Sequence, residues 1–234
     1  MNAHHRSLLD VIRKNGRTRA HSQANDSYLS SGHHYYDVSI PTLRALAKAW
    51  LKANKGIGDG EFLAVLDGLY DGKSYEEKVL ASMLIVGNHA GRRTIGPKLL
   101  DRWLDVLVGW AEVDSLCASA FTAEEMLADW TGWRRFIRSL ARDRNINKRR
   151  AALVFLTTAT RKSNDRRLAT LALETVEALK HQREIIITKA VSWLLRSMVA
   201  QHKPMVAAYI KDNRHSLPAV AVRETARKIA TGRK

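Results

Sequence analysis

The stretch "GWAEVDSLCASAF", residues 109–121, sets Trp110 four residues before Asp114 in a mostly apolar run. Side chains four apart on a helix point the same way, so an indole and a carboxylate would share one face. That pair suits a reaction in which positive charge develops. The carboxylate attracts the cation, more strongly where water is partly excluded, and it can orient or deprotonate a water. An indole face adds cation–π attraction of roughly 0.5–2 kcal/mol. A second stretch, "TKAVSWLLRSM", sets Trp193 and Arg196 at helical spacing. A third, Lys148, Arg149 and Arg150, opens an apolar helix in "NKRRAALVFL". Each has a plainer reading: Trp110 as core, Asp114 as the N-cap of a helix starting at "DSLCASAF", and the KRR run as a solvated face.

Charge weighs on that choice. The 234 residues hold 39 Lys and Arg against 23 Asp and Glu, a net charge of +16, with a pI near 10.3. Such an excess points to a polyanion, most simply nucleic acid. A membrane surface is the rival, but the basic residues are spread along the chain and do not gather on one amphipathic segment. Basic neighbours would also keep Asp114 ionised. The single Cys117 excludes an internal disulfide and a cysteine zinc cluster. With no apolar leader or spanning stretch, a cytoplasmic chain is expected. The neighbouring pairs His4/His5 and His33/His34 diverge in regular structure and read as loop histidines, so no metal is expected.

Elements that would position these groups are helical throughout. Pro41 suits the first turn of "IPTLRALAKAWLKAN", Asp59 looks like the cap of "GEFLAVLDGLY", and Ser74 with Glu77 forms a capping box before "YEEKVLASMLI". No strand alternation appears; the β-branched "REIIITKAV" leads into helical spacing at Trp193, Arg196 and Val199. "KPMVAAYIKDN" and "LPAVAVRETARKIA" read as further helices. Trp50 and Trp103 are assigned to the core; Trp130 and Trp133, flanking "TG", are both read as core or groove rim, with core favoured. In pairs the helices recur at about 35–40 residues, near the period of helical-pair repeats. The expected fold is all-α: an α-solenoid of HEAT-like antiparallel helical pairs with a concave basic groove. Residues 1–33 are expected to form an N-terminal cap helix and loop, and residues 34–234 the repeat domain.

The ordered fragments "YYDVSIPTLRALAKAW", "YEEKVLASMLI", "WAEVD", "NKRRAALVFL" and "TKAVSWLLRSM" resemble the AlkD-like DNA alkylation repair glycosylases, over roughly residues 30–231. The resemblance implies HEAT-like repeats that hold duplex DNA and hydrolyse the N-glycosidic bond of cationic N3- or N7-alkylated purines. An abasic site is left, the first step of base excision repair. It implies Asp114 as the catalytic carboxylate with Trp110 and Trp193 as the two indoles. Arg149 or Arg150, with Lys148, Lys189, Arg196 and Tyr36, would contact DNA. No cofactor and no metal is implied, and the base need not be flipped, unlike the general rule. A monomer is expected. Two departures stand out: Asp37 replaces a usual glycine, and Ile185 and Ile186 stand where some relatives place aromatics. The alternative is a non-catalytic HEAT-repeat module that binds nucleic acid; a protein–protein scaffold fits the charge poorly.

Overall fold

The computed structural model describes residues 2–16 and 31–233. Thirteen helices are present among them, and the only β interaction is an isolated bridge between His34 and Ser74. The chain is all-α, as its periodicity predicts. It divides into two compact units, Met1–Leu116 and Cys117–Lys234. Part of the expected N-terminal loop, residues 17–30, lies outside the described residues.

The first unit is built on α1 (Ala3–Asn15), α2 (Ile40–Ala53), α3 (Asp59–Tyr70), α4 (Tyr75–Gly87), the single turn α5 (His89–Arg92), α6 (Pro97–Val106) and α7 (Trp110–Cys117). Ser39 caps α2 by accepting from Thr42 N–H, and Pro41 sits in its first turn, where no partner for its missing N–H is needed. The capping box at α4 is complete in both directions. Asp59 differs from expectation: it is the first residue of α3, and Gly58 occupies the cap position without a side-chain bond. An acid there still complements the helix dipole. Helix α4 is buried on nearly every side because α1, α2 and α3 pack around it. Trp50 and Trp103 lie in the core. Trp103 stacks on Tyr70 and donates from Nε1 to Asp67 at 2.7 Å, so its one polar atom is satisfied.

The histidine pairs are not all loop residues. His4 and His5 belong to α1, and His5 is buried with Nε2 2.6 Å from Glu77 Oε1. Its ring fits because Gly68 faces it: a Cβ there would meet the imidazole.

The second unit holds α8 (Ala123–Ala128), α9 (Trp130–Leu140), α10 (Ile146–Lys162), α11 (Arg166–Leu179), α12 (Ile185–Asp212) and α13 (Ala219–Thr231). Thr122 with Glu125, then Asp129, Asn145 and Asp165, cap α8 to α11 in turn. Helix α10 is the hub, with α9, α11 and α12 packed on it and α13 packed on α12. Phe121, Trp133, Phe136 and Phe155 form its aromatic core. Helix α12 unites two segments that read as separate helices. The join is a kink at His202 (φ −128°), two residues before Pro204, whose ring cannot accept the helical backbone before it. His202 Nε2 lies 3.0 Å from the Ser163 carbonyl and pins the kink.

Candidate nucleic-acid and catalytic site

Helix α7 begins directly after Gly109, whose φ of +81° is left-handed and turns the chain out of α6. Asp114 is therefore the fifth residue of the helix and not its N-cap. Trp110 and Asp114 stand one turn apart and both are half-buried. This is the exposure that a group reaching a substrate from a packed helix requires, and it separates Trp110 from the core tryptophans.

Between them lies Glu112, which sequence reasoning missed. It is 1% exposed. One carboxylate oxygen accepts from Ser31 Oγ at 2.5 Å and from His33 Nδ1 at 2.7 Å; the other accepts from Val108 N–H at 2.8 Å. Glu112 thus closes the start of α7 and straps the 31–38 segment to it. The nearby Tyr75 hydroxyl is pushed up to about 12 by burial and by the charge of Glu112.

The 31–38 segment carries Tyr36. Its hydroxyl accepts from Arg13 Nε at 3.2 Å, and its ring packs edge-on to His34. Glu76 holds the backbone of this bend, its Oε1 accepting from the N–H groups of Tyr36 (3.0 Å) and Val38 (3.3 Å). Burial raises the Glu76 pKa, although those backbone donors pull the other way. Asp37, between them, takes φ +58°. This left-handed backbone is one that glycine adopts freely and that aspartate tolerates.

In the second unit, Lys189, Trp193 and Arg196 follow one face of α12; Lys189 is exposed, Trp193 and Arg196 half-buried. Arg196 Nε donates to the Ser192 carbonyl at 3.1 Å and lies 3.3 Å from Glu224 of α13, which also accepts from Ser192 Oγ at 2.6 Å. Lys148 and Arg150 turn inward and are buried. Arg150 donates to the Ile186 carbonyl at 2.5 Å and so fixes the start of α12. Arg149 keeps part of its surface while bonding Gln182 and the carbonyls of Asp143 and Arg144. Of the two arginines, Arg149 is the one open to solvent. Ile185 is 64% exposed at the first position of α12, while Ile186 is half-buried.

Among the described residues, no group of three or more His, Cys, Asp or Glu is arranged to hold a metal ion. No helix there is long and apolar enough to cross a membrane.

Trp110 and Asp114 thus stand half-buried one turn apart on α7, and Arg149, Lys189 and Arg196 on α10 and α12 of the second unit. Comparison then gives the family. The family model described as "DNA alkylation repair enzyme" matches residues 13–229, and the chain belongs to that family. Among solved structures it is similar to a predicted DNA alkylation repair enzyme from Enterococcus faecalis, with a TM-score of 0.67 and 17% identity. That likeness covers 92% of this chain and 100% of the other, and shows a shared fold. No curated protein sequence matches significantly.

Proposed function

We propose that this DNA alkylation repair enzyme is a monofunctional glycosylase that releases cationic N3- or N7-alkylated purines from duplex DNA. The observation that carries the reading is the Trp110–Asp114 pair on α7, both half-buried, on a helix anchored from beneath by the buried Glu112.

An alkylated purine already bears positive charge. When its N-glycosidic bond breaks, the bonding pair moves to the purine nitrogen and the base leaves neutral, so no acid is needed. Positive charge passes to the deoxyribose. Asp114 stabilises that oxocarbenium character by Coulomb attraction, and Trp110 and Trp193 add cation–π attraction. Asp114 also orients the water whose oxygen bonds to the sugar carbon and whose proton it accepts. Lys189, Arg196, Arg149 and Tyr36 hold phosphates and set register. Lys148 and Arg150 support them from within, by holding the starts of α10 and α12. No lysine Schiff base is called for, so an intact abasic site is the product. The protein acts as a monomer.

The test is a duplex carrying one N7-methylguanine, incubated with wild type and with Asp114→Asn. Base release and an alkali-labile site with wild type, lost in the variant while binding persists, supports the reading. Binding without release by wild type overturns it and leaves a non-catalytic nucleic-acid-binding module.

A further inference from the structure

Helix α9 carries a cationic surface that alkylpurine excision leaves unused. One face of the helix, Trp133, Phe136, Ile137 and Leu140, is buried. The other presents Arg134, Arg135 and Arg138, and Arg142 follows in the turn just past the helix end; with Trp130 these four line a concavity of about 450 Å³. From Arg134 to Arg138 the helix rises about 6 Å, and Arg142 carries the cations on past its end. Such a track spans a few phosphates of one stacked strand, about 3.4 Å apart along its axis.

Among the described residues, Glu174 pairs with one member of this stripe, Arg138, while Asp129, Asp143 and Asp165 bond elsewhere. Asp129 caps α9 through Gly132 N–H, Asp143 accepts from Asn145 N–H, and Asp165 is held by Arg167 at 2.8 Å. Glu174 pairs with Arg138 at 2.6 Å. No described acid pairs with Arg134, Arg135 or Arg142. Arg134 and Arg135 are exposed neighbouring like charges with no pairing acid among the described residues, and a bound polyanion relieves their repulsion. At the end of the stripe, Trp130 is half-buried with the Arg167 guanidinium 5.7 Å from its ring centre. A basic track ending in an aromatic platform suits single-stranded nucleic acid, whose backbone follows the cations and whose unpaired bases stack.

We propose that the arginine face of α9 is a second nucleic-acid site that takes a short single strand, with Trp130 stacking on a base and Arg134, Arg135 and Arg142 on successive phosphates. It is separate from the residues assigned to excision and its occupancy does not require that reaction.

The experiment is fluorescence anisotropy of a labelled twelve-nucleotide oligodeoxythymidylate with the full chain, between 50 and 200 mM salt. In R134Q/R135Q/R142Q the slope of log K against log salt is expected to shrink by about 2, from three lost contacts at roughly 0.7 each. Trp130→Ala is expected to weaken binding about tenfold, and Trp130→Phe to restore most of it. Release of N7-methylguanine from duplex is expected to be unchanged in the triple variant. Wild-type oligomer binding and salt slope in the triple variant would overturn the proposal, as would equal loss of oligomer binding and duplex excision. If wild type releases no base yet the oligomer results hold, the α9 site stands and the glycosylase reading falls.

Discussion

His33 Nδ1 lies 2.7 Å from Glu112 Oε1 and joins the segment that bears Tyr36 to the helix that bears Trp110 and Asp114. The bond spans 79 residues of sequence, and Ser31 reaches the same oxygen from 81 residues away. The acid is almost wholly buried, so its value lies in its partners: removing it strands three donors.

Glu112→Ala is therefore expected to destabilise the chain by about 3 kcal/mol or more, from the lost charge-assisted bonds and the unsatisfied groups left behind. His33→Ala removes one partner from a half-exposed position and is expected to cost about 1 kcal/mol. Urea unfolding of both single variants and the double variant checks this. The double variant should fall short of the sum, because the two residues share one interaction.

Glu76 and Glu77 are neighbours whose acidities move in opposite directions, and stability should follow pH accordingly. Burial would raise Glu77, but hydrogen bonds from His5 and Ser74 outweigh it and bring its pKa below the ordinary 4.5. The stability it contributes is present above 4.5 and is lost as pH falls through the lower folded value. Glu76 is raised by burial, so its contribution is present below 4.5 and is lost as pH rises through the folded value. Urea midpoints taken from pH 3 to pH 7 should show Glu77→Gln with a flatter acid limb than wild type. Glu76→Gln should instead remove a decline on the neutral side. The same response from both variants would contradict the opposed roles.

The parts of this fold that were legible in sequence are the local ones. Ser74 with Glu77 declared a helix start within four residues, Pro41 another, and apolar spacing placed α10 and the first part of α12, though not its continuation across the His202 kink. Asp59 failed because Gly58 offered the cap position one residue earlier, and an acid serves equally well in the first turn. Glu112 was unreadable for a different reason. Its partners Ser31 and His33 are brought to it by tertiary folding, and its only local trace is a glutamate three residues after Gly109. The inward turn of Lys148 and Arg150 was hidden too, since a KRR run looks the same whether its side chains reach solvent or a carbonyl such as that of Ile186.

Asp37 provides a test of backbone cost. A non-glycine residue at φ +58° pays roughly 1–2 kcal/mol relative to glycine, and glycine returns part of that through its looser unfolded chain. Asp37→Gly should raise Tm by about 1–2 °C, and Asp37→Val should lower it by several degrees. Thermal melts read both. No change in either variant would mean that the Glu76 carboxylate, which holds Tyr36 and Val38 on each side, absorbs the difference by letting the bend relax.

The catalytic assignment predicts unequal losses. Asp114→Asn keeps size and much of the hydrogen bonding but removes the charge that offsets the sugar cation. Single-turnover excision should fall on the order of 100-fold or more, as for loss of one aimed electrostatic group. Trp110→Ala and Trp193→Ala each remove one cation–π contact of about 0.5–2 kcal/mol, equivalent to roughly 2- to 30-fold. Lys189→Ala removes only a phosphate contact from an exposed position, so it should weaken duplex binding and its salt dependence while leaving the single-turnover rate at saturation unchanged. The ordering distinguishes chemistry from positioning. If Lys189→Ala slows the saturated rate as much as Asp114→Asn, the carboxylate is acting on the placement of DNA and not on the developing charge.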